Sequence, residues 1–174
     1  MTKKEFLRIL SNGKEDILEQ LINMMSGADI DYCVIGGLGV NAYVEPVVSL
    51  DLDIVVVAEA SGRFLKAASK VFKIERFPHS INLSVAGSDL RIQLQTDIRY
   101  QSFLQRACVK DVMGYKMKVA ALEDLLAGKV WAYSDMQRRP SKRQKDLADI
   151  FRLAETYPDL KEQLPESIKK LLAG

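Results

Sequence analysis

Three observations predict that this 174-residue chain folds as an α/β protein with α+β character, a mixed sheet flanked by helices. Short apolar strands alternate with helical stripes through the first half. Three strand-like segments follow one another between Lys73 and Gln95. Nearly everything beyond about residue 120 carries helical spacing, which predicts a C-terminal helical subdomain over about 120–174 within a single domain, 1–174.

Thr2-Lys3-Lys4-Glu5 has the form of a capping box and opens a helix through Leu10, with Phe6, Leu7 and Leu10 on one side. Asn12 is the expected cap of a second helix, whose stripe is Ile17, Leu18, Leu21, Ile22 and Met25 and whose end is Gly27. Strands are expected at Tyr32–Ile35 and Leu52–Val57. A short helix over Leu38–Val44 lies between them, closed by Glu45-Pro46. Ser61–Phe72 is helical, with Phe64, Leu65, Ala68 and Val71 at helical spacing.

Lys73–Phe77, Ile81–Val85 and Leu90–Gln95 are the three successive strands, turned at Pro78-His79-Ser80 and Gly87-Ser88-Asp89. Tyr100–Ala107 is a further helix, and Val109–Val119 a hairpin around Met113-Gly114. Leu122, Leu125, Leu126, Val130 and Tyr133 line one helix face. Ser141-Lys142-Arg143-Gln144 offers a second capping box before Leu147, Ile150, Phe151 and Ala154. Tyr157-Pro158 stops that helix, and Leu160–Leu172 supplies a last one.

Composition narrows the function classes. With 48% apolar and 28% charged residues the chain is an ordinary globular one, large enough to bury a core without disulfide or metal staples. No stretch reaches the ~20 apolar residues that span a bilayer, and Met1-Thr2-Lys3-Lys4 leads into amphipathic sequence, so the expectation is a cytoplasmic protein with no membrane partner. Cys33 and Cys108 lack metal-ligand spacing and are expected to be free, buried thiols. His79 is the single histidine, which excludes mechanisms needing two, and its turn position favours a surface role.

The chemistry-bearing stretch is Ile35-Gly36-Gly37, then Asp51-Leu52-Asp53 and the apolar run Ile54–Val57. Residues two apart on a strand share a face, so Asp51 and Asp53 project together and can clamp a divalent cation. Magnesium binds through one or two carboxylates plus substrate phosphates, and a nucleoside triphosphate supplies the latter. A helix starting near Leu38, after a turn at Gly36 and Gly37, presents bare amides and a positive dipole end to a triphosphate. The same Gly-Gly pair serves equally as a tight turn needing positive φ, and an Asp pair can simply begin a strand.

The Gly-Gly turn, its spacer and the Asp-x-Asp resemble the nucleotidyltransferase superfamily with the DNA polymerase beta type of fold. Leu122-Glu123-Asp124-Leu125-Leu126 ahead of Lys129, then Arg143-Gln144-Lys145-Asp146-Leu147-Ala148-Asp149, looks like the Lys and Arg-x-Lys-Asp-x-x-Asp motifs of the abortive-infection type, which includes toxins of toxin–antitoxin pairs. The resemblance spans residues 35–149. It implies metal-dependent transfer of a nucleoside monophosphate to a hydroxyl acceptor, with Mg2+ (or Mn2+) on Asp51 and Asp53. It further implies nucleotide contacts from Gly36, Gly37, Ser49, Lys129, Arg143, Lys145 and Asp146.

Two positions depart from the pattern. Val47 stands where members often carry Arg, and Gln93 stands where a third carboxylate is expected. Asp89 and Asp97 share the face of Gln93 but lie four residues away, about 13 Å at ~3.3 Å per residue, beyond the ~3.5–4 Å between paired catalytic metals. Gln93 can offer a carbonyl oxygen to a metal; it can neither act as a general base nor hold a second cation by charge.

Alternatives stay open at this stage. Lys129 suits a phosphate ligand or ordinary snorkelling, its stem packed and its ammonium reaching out. The helical pairs Arg143–Asp146 and Asp146–Asp149 are surface stabilisation or substrate positioning. The basic run Arg138, Arg139, Lys142, Arg143 and Lys145 is a solvated loop or a phosphate or RNA contact. The acceptor is RNA, a protein hydroxyl or a small molecule. A second class of reading is a catalytically impaired nucleotidyltransferase scaffold that binds nucleotide or a partner protein, and a third is another α/β domain with coincidental motifs.

Overall fold

The computed structural model describes residues 1–13 and 15–174. Thr2 forms the expected capping box with Glu5 and opens α1 (Lys3–Leu10). In α2 (Ile17–Gly27) the cap is Asp16, whose carboxylate accepts from the Glu19 amide. Asn12 instead takes a left-handed conformation after α1, and its side chain donates to Asp89.

The sheet has seven strands: β1 (Tyr32–Ile35), β2 (Asp51–Val56), β3 (Lys73–Phe77), β4 (Ser80–Ser84), β5 (Arg91–Gln95), β6 (Cys108–Val112) and β7 (Tyr115–Val119). Their order is β3-β4-β5-β2-β1-β7-β6. The sheet is mixed as expected: β2–β5 and β1–β7 are parallel, the other neighbours antiparallel. Met113 and Gly114, both at positive φ, make the β6–β7 turn, as a tight hairpin requires.

Alternation in β2 divides the two faces. Leu52 and Ile54 are fully buried on the core face with Ile92, Leu94, Leu83 and Ile81, in the same core as Phe64 of α4 (Ser61–Ala68) and Leu21 and Met25 of α2. Asp51 and Asp53 therefore project from the opposite face. The β2–β5 register sets Asp53 beside Gln93 and Asp51 beside Arg91.

The helix after the Gly-Gly turn, α3 (Gly36–Val40), starts earlier and is shorter than the sequence predicts. Asn41 ends it, pinning the following loop by donating to the Val47 carbonyl and accepting from the Val47 amide. α4 is also shorter than predicted: beyond it Lys70 and Val71 bond to carbonyls three residues back. The expected helix at 100–107 is a 3-10 run, Ile98–Arg106.

α5 (Leu122–Ser134) and α6 (Pro140–Thr156) pack together, and α6 begins with Pro140 at its first turn in place of the Ser141 capping box. Pro165 divides the last predicted helix into a 3-10 turn at Pro158–Gln163 and α7 (Glu166–Ala173). A second apolar cluster, with Ile150, Leu153, Leu160 and Ile168, joins these helices to Val40 and Val44.

Both cysteines are free, but only Cys33 is buried, and burial pushes its thiol up to about 12. Cys108 is exposed because it starts the edge strand β6. No helix among the described residues is long and apolar enough to cross a membrane.

Gly36 sits at φ 67, where a Cβ would overlap Asp53 Oδ2. Gly36→Ala is expected to lower stability by about 2 kcal/mol or more, read from the urea midpoint. Gly62→Ala, on α4 with open space around it, should leave stability unchanged or slightly raised.

Candidate active site

One pocket gathers residues from five parts of the chain. β1 and α3 contribute Ile35 and Gly36, β2 Asp53, β5 Gln93 and Gln95, the 3-10 run Tyr100 and Phe103; the C-terminal helices and their connection contribute Asp124, Lys129, Arg138 and Asp146. Of the residues expected from sequence, Gly36, Asp53, Gln93, Lys129 and Asp146 meet here.

Asp51 stands at the edge of this group, its two oxygens held by Arg91 Nε at 2.8 Å and Lys142 Nζ at 3.2 Å. Ser49 Oγ accepts from the Asp51 amide and fixes the start of β2. Gly37 faces both Ser49 Oγ and Asp149 Oδ2. Arg143 and Lys145 are not brought to the pocket: Arg143 donates to the Tyr133 carbonyl and lies over its ring, and Lys145 is exposed.

The ammonium of Lys129 does not reach out to solvent, as snorkelling would have it. It is buried against Asp146 Oδ1 at 3.0 Å and Asp149 Oδ2 at 2.7 Å. Arg138 completes Asp146 at 2.7 Å, and Arg152 completes Asp149 at 2.7 Å. The expected Arg143–Asp146 helical pair gives way to these contacts, because Asp146 faces inward and is 2% exposed. Burial works against the Lys129 charge, but Asp149 and Asp146 outweigh it and hold its pKa above the ordinary lysine value.

Sequence reading passed over Arg152, whose guanidinium also donates to Asn41 Oδ1 and to the Glu45 carbonyl. Its place three residues after Asp149 was the available signal. The pocket's aromatic wall was also missed: Tyr100, Phe103 and Trp131 pack with ring centroids 5.2–5.6 Å apart. An adjoining cleft of about 550 Å3 shares Gln93, Gln95, Tyr100 and Arg138 and opens past Trp131 and Asp135.

Asp53 differs from every other carboxylate of the site, having no salt-bridge partner among the described residues, while burial pushes its carboxyl up to about 6 and Asp51 adds to the rise against Lys129. A carboxylate so placed suits a bound cation. No group of three or more His, Cys, Asp or Glu side chains converges among the described residues; Asp51, Asp53 and the Gln93 carbonyl are the oxygens that could serve an ion whose other ligands come from a substrate. Asp97 is bound to Arg99, and Asp89 accepts from Asn12, so neither substitutes for a third carboxylate.

The mixed sheet, with two carboxylates on one strand beside a Gly-Gly turn, has the arrangement that the sequence resemblance to nucleotidyltransferases leads one to expect. The family model of the nucleotidyl transferase AbiEii toxins of type IV TA systems matches residues 53–174, and the chain belongs to that family. Solved structures share the fold. ANT(2″)-Ia in complex with adenylyl-2″-tobramycin is 12% identical with a TM-score of 0.60, covering 90% of this chain and 93% of its own. The lincosamide antibiotic adenylyltransferase LnuA, lincomycin-bound, is 14% identical at 0.55, covering 80% and 97%. An antigenic nucleotidyltransferase-like protein from Paracoccidioides brasiliensis is 20% identical at 0.55, covering 99% and 88%. No curated protein matches the chain.

Two outcomes are expected from these charges. The folded chain holds the Asp53 proton up to about pH 6, whereas an unfolded one releases it near 3.8, so stability falls as pH rises through that window. Asp53→Asn should remove this slope and raise stability at pH 7 by about 3 kcal/mol, measured by urea unfolding across pH. Lys129→Met should lower stability by about 3 kcal/mol, because two buried carboxylates then face each other with only their arginines.

Proposed function

We propose that this chain transfers a nucleoside monophosphate from a nucleoside triphosphate to a hydroxyl acceptor, with Asp51 and Asp53 as its metal ligands. The observation that carries the reading is Asp53: a half-buried carboxylate with no ion-pair partner among the described residues, set against Gly36 and within the field of Lys129 and Arg138. Magnesium or manganese held by Asp51 and Asp53 would neutralise the triphosphate and polarise its α-phosphorus.

The chain's own groups do the positioning. Gly36 lets the backbone turn close to Asp53, Gly37 and Ser49 flank the phosphate path, and Gln93 contributes a neutral oxygen beside Asp53. In the helical wall Lys129, Arg138 and Arg152 are held in place by Asp146 and Asp149, which fixes their charges beside the phosphate path. The acceptor oxygen forms its bond to the α-phosphorus as the bond to the bridging oxygen breaks, and pyrophosphate leaves with the electron pair. The hydroxyl proton passes to solvent, since Gln93 cannot take it. Such chemistry rests on orientation and electrostatics.

The adjoining cleft gives the acceptor its approach. Its size suits one small molecule or a nucleotide end. Relatives of the fold carry adenylylated tobramycin or bind lincomycin, which makes a small-molecule hydroxyl one acceptor class; RNA is the other. Family membership points to an antitoxin partner, and we place α5–α7 as the helical subdomain of a single domain.

A second reading, a scaffold without turnover, is favoured by Gln93 alone. Next to it in register stands Asn82, whose Oδ1 is buried with no hydrogen-bond partner among the described residues. Two amides thus continue the row where a third carboxylate would add charge.

Incubation with each α-labelled triphosphate, Mg2+ or Mn2+, and either cellular RNA or an aminoglycoside and lincosamide mixture tests both readings. Label transfer that falls about 10²–10³-fold in Asp51→Asn is the expected result. Gln93→Asp is expected to raise turnover about tenfold by adding the missing charge. Wild-type inactivity with activity gained in Gln93→Asp would establish the scaffold reading, and transfer unaffected by Asp51→Asn would sink the assignment of the metal ligands.

A further inference from the structure

The Asp51 carboxylate is occupied twice over. Arg91 reaches it from the neighbouring strand in register, and Lys142 reaches it from α6, 91 residues away in sequence. The two cations differ in kind. Arg91 is planar, exposed and built into the sheet beside its partner. Lys142 is a compact charge on a flexible four-carbon stem, anchored in the first turn of α6 at spacings of four and seven from Asp146 and Asp149. It therefore continues the inner stripe of α6 towards the Asp-x-Asp, while Lys145 leaves that stripe for solvent.

A part-exposed ion pair of this sort adds little to stability, so stability alone explains little of a lysine aimed at this carboxylate. The chemistry of the site explains more. The oxygen held by Lys142 is one that a divalent cation has to share or take, and a triphosphate brings several anionic oxygens to the same place.

We propose that Lys142 is a triphosphate ligand kept at the site by Asp51. The ammonium neutralises one oxygen of Asp51. Once a cation claims the carboxylate, the ammonium turns to the phosphate oxygens. This inference rests on the nucleotidyltransferase reading above and adds to it a residue outside the Arg-x-Lys-Asp-x-x-Asp block.

The test uses two probes on the intact chain: Mn2+ alone, followed by electron paramagnetic resonance, and the four α,β-methylene nucleoside triphosphates with Mn2+, followed by calorimetry. Lys142→Ala and Lys142→Gln should bind Mn2+ alone several-fold more tightly, because a competitor for Asp51 is gone. They should bind the analogue accepted by wild type at least tenfold more weakly. Arg139→Ala, which removes the same charge from the exposed residue preceding α6, should change neither beyond twofold. Opposite signs at the two probes are the signature of a ligand that changes partners. Wild-type-like analogue binding in both Lys142 variants, or weakened Mn2+ binding, would overturn the assignment to Lys142 while leaving the enzyme reading intact. Wild type binding none of the four analogues would overturn both.

Discussion

The ion cluster centred on Lys129 is the constraint on which the pocket depends. Taking an ammonium and two carboxylates out of water is unfavourable unless each finds partners in good geometry. Here the partners come from α5, α6 and their connection, so the helices can bury Lys129, Asp146 and Asp149 only by docking in one arrangement. That arrangement puts the inner side of α6 against Asp51 and Gly37. Apolar packing between α5 and α6 supplies the larger share of the burial energy, but it tolerates sliding. The charged contacts do not.

Much of the fold was legible because it rests on local periodicity. Parity in β2 alone separates Asp51 and Asp53 from Leu52 and Ile54, and β1 and β3 match their expected bounds. What sequence misplaced was decided by distant partners or by competing local chemistry. Asp16 outcompeted Asn12 as a cap, Pro140 pre-empted Ser141, and the Asn41 contacts to Val47 cut α3 short. The site shows the same division. Asp53, Gln93 and Gly36 could be read from strand and turn pattern, whereas the inward turn of Lys129 and the roles of Lys142 and Arg152 depend on groups tens of residues away.

Gln93 illustrates how a single substitution can leave geometry and alter charge. Its side chain keeps the position beside Asp53 in the parallel ladder, with similar reach and an oxygen to offer. Burial is the main cause that raises the Asp53 pKa; Asp51 adds to it, and Lys129, Arg138 and Lys142 act to lower it. A third carboxylate in that row would have deepened the need for bound metal.

Arg152 also bears on when the site comes into existence. Its bond to the Glu45 carbonyl joins segments 107 residues apart, and the Lys142–Asp51 contact closes a loop nearly as long. Contacts of such separation carry a loop-closure entropy that local hairpins do not, and they form after the strands they tie together. The sheet can therefore assemble with its carboxylates in register while the pocket is still missing a wall. During synthesis, Asp51 and Asp53 leave the ribosome some ninety residues ahead of Lys142, and the pocket is complete only when α6 has emerged and docked.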